Sequence, residues 1–281
     1  MNPSALIADT LRLLDMPEKL ALPAASEPGG ICAVFAPHPD DECIMGALPL
    51  RLKREAGMRV IVIPVTLGSA PERKAARRTE LAASCKLLDF EIIEPAAQCF
   101  DQVTPDTRTG QQILWDGMAA KIAALLAKLK PDVIVAPHRT DIHPAHVGAH
   151  HLVMDALGKM PEDFTVLLAF SEYYQPQQQP NLLVESPASD VARLIEGLMQ
   201  HTGEIARNPY HRRLPAWMID NARRGEELLG GLGAPAGKIA FAALYQIGAW
   251  RDGAYAPDAE DRILPADQAA ALLPAKDGGR Y

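Results

Sequence analysis

The sequence has few cysteines, four among 281 residues, and none of them forms a C-x-x-C pair. Isolated thiols at this density are typical of free cysteines in a reducing compartment rather than of a disulfide-stabilised scaffold. The chain also lacks an apolar run of the ~18 residues that a membrane span needs, and its N-terminus has no basic and apolar leader. We therefore expect a cytoplasmic protein that does not cross a membrane.

An excess of basic residues is missing too, because 35 acidic residues outnumber 28 basic ones and give a net charge of −7. A protein that binds nucleic acid through the phosphates needs clustered lysine and arginine, and the sequence contains no such stripe. No G-x-G-x-x-G segment follows the first predicted strand, which argues against a nucleotide-binding module and oxidoreductase chemistry. A small molecule is the expected partner, and a homo-oligomer is left open.

From residue 30 onward, short apolar runs alternate with segments of helical periodicity. The predicted strands lie at residues 31–36, 60–67, 91–94, 133–136 and 165–170, and the helices between them lie at about 42–56, 72–88, 112–129 and 145–157. Such alternation predicts βαβ units. The expected fold is α/β: a Rossmann-like, mostly parallel, doubly wound sheet in a three-layer α/β/α arrangement, with extra C-terminal elements.

We expect a single domain over residues 1–281. It begins with a leading helix and linker over 1–29, continues as an α/β core over about 30–170 and ends in substrate-side elements over about 171–281. The elements predicted in this last part are a strand at 182–185, helices within 190–205 and 216–229, and a strand or short helix at 238–250. The tail from Ala256 is expected to be loosely packed.

Two of the predicted strands end in clusters of histidine and aspartate. His38–Glu42 follows the apolar run 31–37, and a second cluster follows the run 133–137. Its members are His138, Asp141, His143 and His146. In a doubly wound sheet, ligands bind beyond the carboxyl ends of the strands where the strand order reverses, commonly between the first and fourth strands. These two strands carry the clusters, so we expect the clusters to meet.

Histidine and carboxylate without cysteine are typical of a catalytic zinc site, which keeps one position open for water. A simpler alternative is that Asp40 or Asp41 only caps the next helix. Five of the eight histidines lie between residues 138 and 151, a density that core packing does not explain and that favours the metal site. Spacing leaves open which aspartate binds metal, and whether His150 is a ligand together with His146 or an ordinary helix residue.

Ala36–Glu42 and Asp141–His146 together resemble the PIG-L/LmbE-like family of zinc-dependent N-deacetylases. The family pattern is (P/A)-H-P-D-D-E after one strand and D-x-H-P-D-H after a later strand. The first motif matches completely, and the second differs at one position. Thr66–Gly68 and Arg77–Glu80 match the T-x-G and R-x-x-E segments of the family. The resemblance extends over residues 30 to 160, approximately.

The resemblance implies a metal-dependent hydrolase that removes an acyl group, an acetyl group first of all, from the amide nitrogen of an amino sugar or a related conjugate. It implies one Zn²⁺ per chain, although mixed histidine and carboxylate sites accept other divalent metals. The implied site residues are the metal ligands His38, Asp41 and His146, the general base Asp40, the electrophilic histidine His143 and the substrate-binding Arg77. The alternative for Arg77 is a position on a solvated helix face.

Two other functions remain open. The same fold and metal suit a hydratase or lyase that acts on a small metabolite, and the change at Ala145 is consistent with a metal-binding protein of weakened catalysis. Candidate sugar contacts are the polar loop 98–110, the glutamine-rich loop 175–179 and the aromatic residues Tyr173, Tyr174, Tyr210 and Trp217. The alternative for these aromatic residues is a place in the core or on the surface.

Ala145 gives a first prediction. In the family an aspartate at this position lies close to the electrophilic histidine and stabilises its charged form. Without that carboxylate the pKa of His143 is lower, so a reaction that needs charged His143 is lost at lower pH as the pH rises. If His143 must be charged, we expect the alkaline limb of the pH–activity profile to lie below that of a relative with the aspartate, measured side by side. Coincident limbs would contradict this expectation.

Overall fold

A computed structural model describes residues 1–231 and 237–270 of the chain. The strands in these residues are β1 (Ile31–Ala36), β2 (Arg59–Pro64), β3 (Glu91–Ile92), β4 (Val133–Pro137), β5 (Val166–Ser171), β6 (Leu182–Glu185), β7 (Ala242–Arg251), β8 (Ala254–Pro257) and β9 (Arg262–Leu264). The helices are α1 (Pro3–Leu13), α2 (Asp41–Ile44), α3 (Ala47–Glu55), α4 (Lys74–Leu88), α5 (Pro105–Gly110), α6 (Gln112–Leu129), α7 (Pro144–Leu157), α8 (Ala188–Gln200), α9 (Thr202–Ile205) and α10 (Tyr210–Leu229).

The strands form one mixed sheet in the order β3-β2-β1-β4-β5-β7-β6-β9, with β8 paired to β7. The strands β3, β2, β1, β4 and β5 are parallel, whereas β7 is antiparallel to both β5 and β6. Parallel neighbours need a crossover, and the helices between the strands provide it. The predicted α/β fold with a mostly parallel sheet is confirmed, and the antiparallel part belongs to the extra C-terminal elements.

The sheet is buried on both faces, as a parallel sheet requires. Along β1, Cys32 and Val34 face a core that includes residues of α1, α3, α4, α8 and α10. Ala33 and Phe35 face the opposite core, which includes residues of α6 and α7. Both faces of β1 are apolar for this reason, and polar side chains first occur where the strand ends.

The strand order reverses at β1. Val34 pairs with Val62 of β2 on one side and with Val135 of β4 on the other. The carboxyl ends of β1 and β4 therefore lie side by side at the point where a doubly wound sheet binds its ligand. The two motif clusters follow these two strand ends, as the sequence predicts.

The single helix predicted over 42–56 is wrong, because α2 ends at Ile44 and α3 begins at Ala47. The side chain of Tyr245, from β7, lies at this break. Its hydroxyl donates to the carbonyl of Met45 and accepts from the N–H of Leu48, both at 3.1 Å. A residue about 200 positions away in the chain thus satisfies the backbone groups that the break exposes.

The expectation of a loosely packed tail from Ala256 is wrong for the described residues, which extend to residue 270. The strand β9 pairs with β6, and the buried guanidinium of Arg51 donates to the carbonyls of Leu264 and Gln268. The carboxylate of Glu55 accepts from the N–H of Ala270 at 2.8 Å. Buried charges in α3 therefore hold this segment against the core.

None of the helices within residues 1–231 and 237–270 is both long and apolar enough to cross a membrane. The longest, α10, has 20 residues and contains a proline.

All four cysteines are buried and free. The predicted single domain and its internal boundaries stay predictions.

Arg51 gives a prediction about stability. Its side chain is fully buried and pairs with Glu55 at 2.9 Å, so Arg51→Met leaves a buried carboxylate for which Arg54 is the one remaining cationic partner among the described residues. We expect the free energy of unfolding to fall by about 3–5 kcal/mol, measured by urea denaturation. The matched control is Arg59→Met, which breaks the exposed pair with Glu91 and should leave the midpoint nearly unchanged. Equal midpoints for the two variants would contradict this account.

Candidate active site

The backbone turns sharply at Asp40, between the end of β1 and the start of α2. Its φ of 113° lies in a region that residues other than glycine rarely adopt, and such a conformation costs about 1–3 kcal/mol. The N–H of Asp40 donates to Oε2 of Glu42 at 2.8 Å, and its carbonyl accepts from the N–H of Cys43 at 3.0 Å. Neighbouring residues of the motif thus stabilise the strained turn.

Glu42 is fully buried below this turn. Burial would raise the pKa of Glu42, but the charge of His201 and hydrogen bonds from His201 and Ser84 hold that pKa below its usual value. Cys43 lies beside them, and burial raises the pKa of its thiol well above the usual value. Glu42, Cys43 and His201 are close enough to hold a metal. A cysteine binds a metal only as the thiolate, and the raised pKa of Cys43 disfavours that form. We interpret the group as a buried hydrogen-bonded cluster.

The second cluster is ordered by Asp141. Its Oδ1 accepts from the N–H of His143 at 2.8 Å, and its Oδ2 accepts from the N–H of Tyr174 at 3.1 Å. The same Oδ2 lies 3.5 Å from Nδ1 of His146 in the first turn of α7. A carboxylate behind the imidazole orients the ring so that Nε2 points away from Asp141, a common arrangement behind metal ligands.

The two clusters meet at the carboxylate of Asp41. Its Oδ2 lies 3.3 Å from Nδ1 of His38 and 3.6 Å from Nε2 of His146. In a tetrahedral zinc site, nitrogen and oxygen ligands about 2.0–2.1 Å from the metal are about 3.3–3.4 Å from each other. The separations therefore fit one zinc ion or a similar cation. These are the three residues that the family resemblance implies as ligands.

The charges at this point favour a cation. Burial would raise the pKa of Asp41, but His146 and His38 lower it to about 2. Burial lowers the pKa of His146, and Asp41 and Asp141 together raise it above its usual value. The two carboxylates thus stabilise positive charge on the imidazole between them, and the same field would stabilise a metal cation.

His143 lies beside the proposed ligands. Its ring centroid is 4.8 Å from that of His146 and 5.1 Å from that of His38, so a set of three imidazoles is a second arrangement for a metal. Nδ1 of His143 accepts from the N–H of Ala145 at 3.3 Å, which places the proton of the neutral ring on Nε2. Burial and the two neighbouring histidines lower the pKa of His143 to about 4. Asp41 brings a negative charge that a third imidazole lacks, and its Oδ2 lies within 3.6 Å of a nitrogen of both His38 and His146, which favours Asp41 as the third ligand.

The side chain of Asp40 lies in the cleft next to Asp41 and is buried. Burial, followed by the charges of Asp41 and Glu42, raises the pKa of Asp40 well above its usual value, while Arg77 opposes the shift. A carboxylate with a raised pKa takes up a proton more readily near neutral pH. Asp40 therefore has the electrostatic surroundings of a general base.

Arg77 is buried, so it does not occupy the solvated helix face that was its alternative. Its Nη2 donates to the carbonyl of Pro39 at 3.3 Å and lies 3.7 Å from Glu204. Gly68 makes room for it, because a Cβ at that position would lie 2.1 Å from Nη1 of Arg77. The φ of Gly68 is also positive, at 87°. The T-x-G and R-x-x-E segments are thus packed together beneath the first motif.

These groups line the floor of an open cleft of about 1060 Å³. Small-molecule sites commonly measure about 300–1,000 Å³, so the cleft has room for a sizeable ligand. The neutral polar residues in its lining are Thr66, Ser69, Gln102, Thr104, Thr107, Gln111 and Asn208. The polar loop predicted over 98–110 contributes to this wall, and its last part is the helix α5 rather than irregular chain.

Tyrosines from the C-terminal third form another wall. Tyr173, Tyr174 and Tyr210 line the cleft, and the ring of Tyr174 stacks on that of His143 with a centroid distance of 5.5 Å. The hydroxyls of Tyr174 and Tyr210 are hydrogen-bonded at 2.9 Å. Trp217 lies behind Tyr173, where it lines a separate cavity of about 100 Å³. Three of the four aromatic candidates therefore reach the cleft.

The glutamine-rich loop 175–179 supplies none of the described residues that line the cleft. Gln177 points inward instead and donates to the carbonyl of Phe170 at 2.8 Å. Sequence analysis also missed Glu204 and Arg207, which line the cleft and form an ion pair at 2.9 Å. They belong to the short α9 and its C-terminal flank, and although Glu204 lies in the segment 190–205 predicted to be helical, no motif marks either residue.

Residues 33–157 match the sequence model of the family described as PIG-L, GlcNAc-PI de-N-acetylase. This segment contains four of the six residues of β1, the whole of β4 and both motif clusters. The predicted resemblance to the family is thereby confirmed. A search of curated proteins found no match.

Several solved structures share the fold. N,N'-diacetylchitobiose deacetylase from Pyrococcus horikoshii is 17% identical with a TM-score of 0.58, over 88% of this chain and 92% of that chain. A zinc-inhibited form of a teicoplanin deacetylase is 13% identical with a TM-score of 0.58, over 79% and 98%. GalB, the 4-carboxy-2-hydroxymuconate hydratase, from Pseudomonas putida KT2440 is 17% identical with a TM-score of 0.57, over 78% and 95%. At these identities the likeness establishes the fold.

The site geometry gives a prediction about metal content. We expect His38→Ala to lose most of the bound metal, because it removes one of three ligands, whereas Asp40→Asn keeps about one metal ion per chain. Elemental analysis of purified protein measures both. His143→Ala should also retain metal if Asp41 is the third ligand. Loss in His143→Ala together with retention in Asp41→Asn would indicate the set of three imidazoles, and equal metal in all variants would contradict the site.

Proposed function

Since residues 33–157 match the PIG-L family, we propose that this protein is a metal-dependent hydrolase that removes an acyl group from an amide nitrogen. The acyl group is an acetyl group first of all, and the substrate is an amino sugar or a related small conjugate. One observation carries the proposal: His38 and His146, from two distant segments, both lie beside the carboxylate of Asp41 on the floor of a polar cleft. Asp40 lines the same cleft.

The metal in this proposal is zinc, held by His38, Asp41 and His146. Two imidazoles and one carboxylate without a thiolate form a typical catalytic zinc set, and such a set also accepts other divalent metals. When bound, the metal supplies an acidified water molecule and polarises the carbonyl of the substrate. The protein fixes the distances between the three ligands. It also supplies Asp141, which orients the ring of His146.

Asp40 acts as the general base in the proposed reaction. It takes a proton from the attacking water, and its buried position in the cleft next to Asp41 lets it hold that proton until the amide bond breaks. It then donates the proton to the leaving amine nitrogen. A single carboxyl group therefore serves both proton transfers, and the strained turn at residue 40 keeps it next to the ligand Asp41.

His143 stabilises the oxygen of the acyl group as negative charge develops on it. Nδ1 already accepts from the N–H of Ala145, so the hydrogen available for the substrate is on Nε2. The family resemblance implies a charged histidine here. The low pKa of His143 and the absence of a carboxylate at Ala145 favour a neutral donor instead.

An amino sugar suits the lining of the cleft. Hydroxyl and amide side chains such as those of Thr104, Gln102 and Asn208 exchange hydrogen bonds with sugar hydroxyls, and Tyr174 offers a flat apolar surface for a ring. Arg77 is proposed to contact the substrate from the side of the first motif. The volume of the cleft leaves space for a group attached to the sugar.

A second candidate is a hydratase or lyase for a small metabolite, supported by the fold that the chain shares with GalB. The same metal and base could direct water to a carbon–carbon double bond rather than to an amide. A metal-binding protein with weakened catalysis is a third candidate, supported by Ala145. A cytoplasmic location is proposed from the four free cysteines, and a homo-oligomer stays a prediction.

The proposed reaction releases equal amounts of carboxylate and free amine. We expect zinc-loaded protein to release acetate and amine from at least one member of a panel of N-acetylglucosamine and its glycosides. Asp40→Asn with the same metal content should be slower by about 10²–10⁴-fold, the usual contribution of a general base. Consumption of an unsaturated acid without amine release would favour the hydratase. Stoichiometric zinc with no turnover on any panel would favour the weakened protein.

A further inference from the structure

A buried polar cluster lies directly beneath the turn at Asp40. It consists of Glu42 from α2, Ser84 from α4 and His201 at the junction of α8 and α9, and all three residues have 0% exposure. Residue 201 is 159 positions away from residue 42 in the chain. Nothing in the proposed proton transfers uses His201, so its position needs its own explanation.

The hydrogen bonds within the cluster converge on one carboxylate. Oε1 of Glu42 accepts from Oγ of Ser84 at 2.6 Å and from Nε2 of His201 at 2.7 Å. Oε2 accepts from the backbone N–H of Asp40 at 2.8 Å. The two side chains fix the carboxylate from one end, and its other end holds the backbone of the proposed base.

The backbone at Asp40 needs such an anchor. Its φ of 113° is unfavourable for an aspartate, so the turn relaxes unless surrounding contacts hold it. Relaxation would move the carboxylate of Asp40 and the adjacent ligand Asp41. A displacement of about 1 Å at a reacting group is enough to lower a rate by two orders of magnitude.

We propose that His201 is a positioning residue for this reaction. It fixes the carboxylate of Glu42, which in turn holds the strained N–H of Asp40 and keeps the base and the ligand Asp41 in place. This inference rests on the proposed function for the role of Asp40. The part that concerns the backbone can be measured without substrate or metal.

Tight packing makes the contribution of His201 hard to replace. Gly197 of α8 lies against the cluster, where a Cβ would be 2.7 Å from Sγ of Cys43 and 3.3 Å from Oγ of Ser84. Little space therefore remains for a water molecule that could take over a lost hydrogen bond. The side chain of residue 201 must itself provide the donor to Glu42.

The backbone of His201 makes separate hydrogen bonds, which a substitution of the side chain leaves intact. Its carbonyl accepts from the N–H groups of Glu204 and Ile205 at 3.0 and 2.9 Å, which begins α9. Glu204 then lies 3.7 Å from Arg77 in the wall of the cleft. A change confined to the side chain should therefore spare substrate binding and affect the chemical step.

The test compares His201→Leu, which removes the donor, with His201→Gln, which keeps an N–H donor at a similar reach. The first readout is amide hydrogen exchange of residues 38–44 in metal-free protein. We expect the exchange of the Asp40 amide to be faster by about tenfold or more in His201→Leu and to stay near the native rate in His201→Gln. The second readout is kinetics, where kcat should fall about 10–100-fold in His201→Leu with KM changed less than about twofold.

The matched control is His211→Leu. His211 is also a buried histidine whose Nδ1 has no hydrogen-bond partner among residues 1–231 and 237–270, but it lies on α10 and does not line the cleft. We expect native exchange at residues 38–44 and native kcat in this variant. Unchanged exchange in His201→Leu, or an equal change in the control, would overturn the proposal.

Ser84→Ala keeps the test decisive if His201→Leu does not fold. It removes the hydroxyl that donates to the same oxygen, which the thiol of Cys43 also contacts at 3.4 Å, with a smaller change of volume, and it should also accelerate exchange at Asp40. Native exchange in Ser84→Ala would then overturn the proposal. If the native protein releases no acetate from any amino sugar, the proposed function fails, while the exchange data still decide whether the cluster holds the turn.

Discussion

The site depends on the carboxylate of Asp41, because two imidazoles from distant segments lie beside the same oxygen. This arrangement needs β1 and β4 as parallel neighbours, since only then do the loops that follow them share one edge of the sheet. It also needs opposite charges at close range, because an isolated buried carboxylate would take up a proton instead. Backbone topology and local electrostatics therefore constrain the same three side chains.

Buried charge recurs in the described part of the molecule, and several instances connect distant parts of the chain. Glu42 is held by His201, Arg51 joins α3 to the segment before residue 270, and Glu172 pairs with Arg224 of α10. Such groups are costly to bury unless their partners are correctly placed. They consequently favour one arrangement of the C-terminal third on the α/β core, and that arrangement brings Tyr174, Glu204 and Arg207 to the cleft.

Much of the core and of the proposed site could be predicted, because their signals are local in sequence. The apolar runs of β1 and β4 and the helical periodicity of α6 depend on spacing within one element, and the structure has these elements near their predicted bounds. The helix break at Gly46 and the packed segment before residue 270 were missed. Their causes are Tyr245 and Arg51, side chains that lie in other parts of the chain.

The sequence by itself determined the α/β core, the family resemblance and the residue types that could hold a metal, because strand ends and motifs are defined by adjacent residues. Only the tertiary structure decided how the two clusters meet, that Arg77 is buried and that His201 is hydrogen-bonded to Glu42 beneath the turn at Asp40. The physical reason is that these contacts join residues up to 159 positions apart. Their geometry follows from how helices and strands pack, which no local pattern specifies.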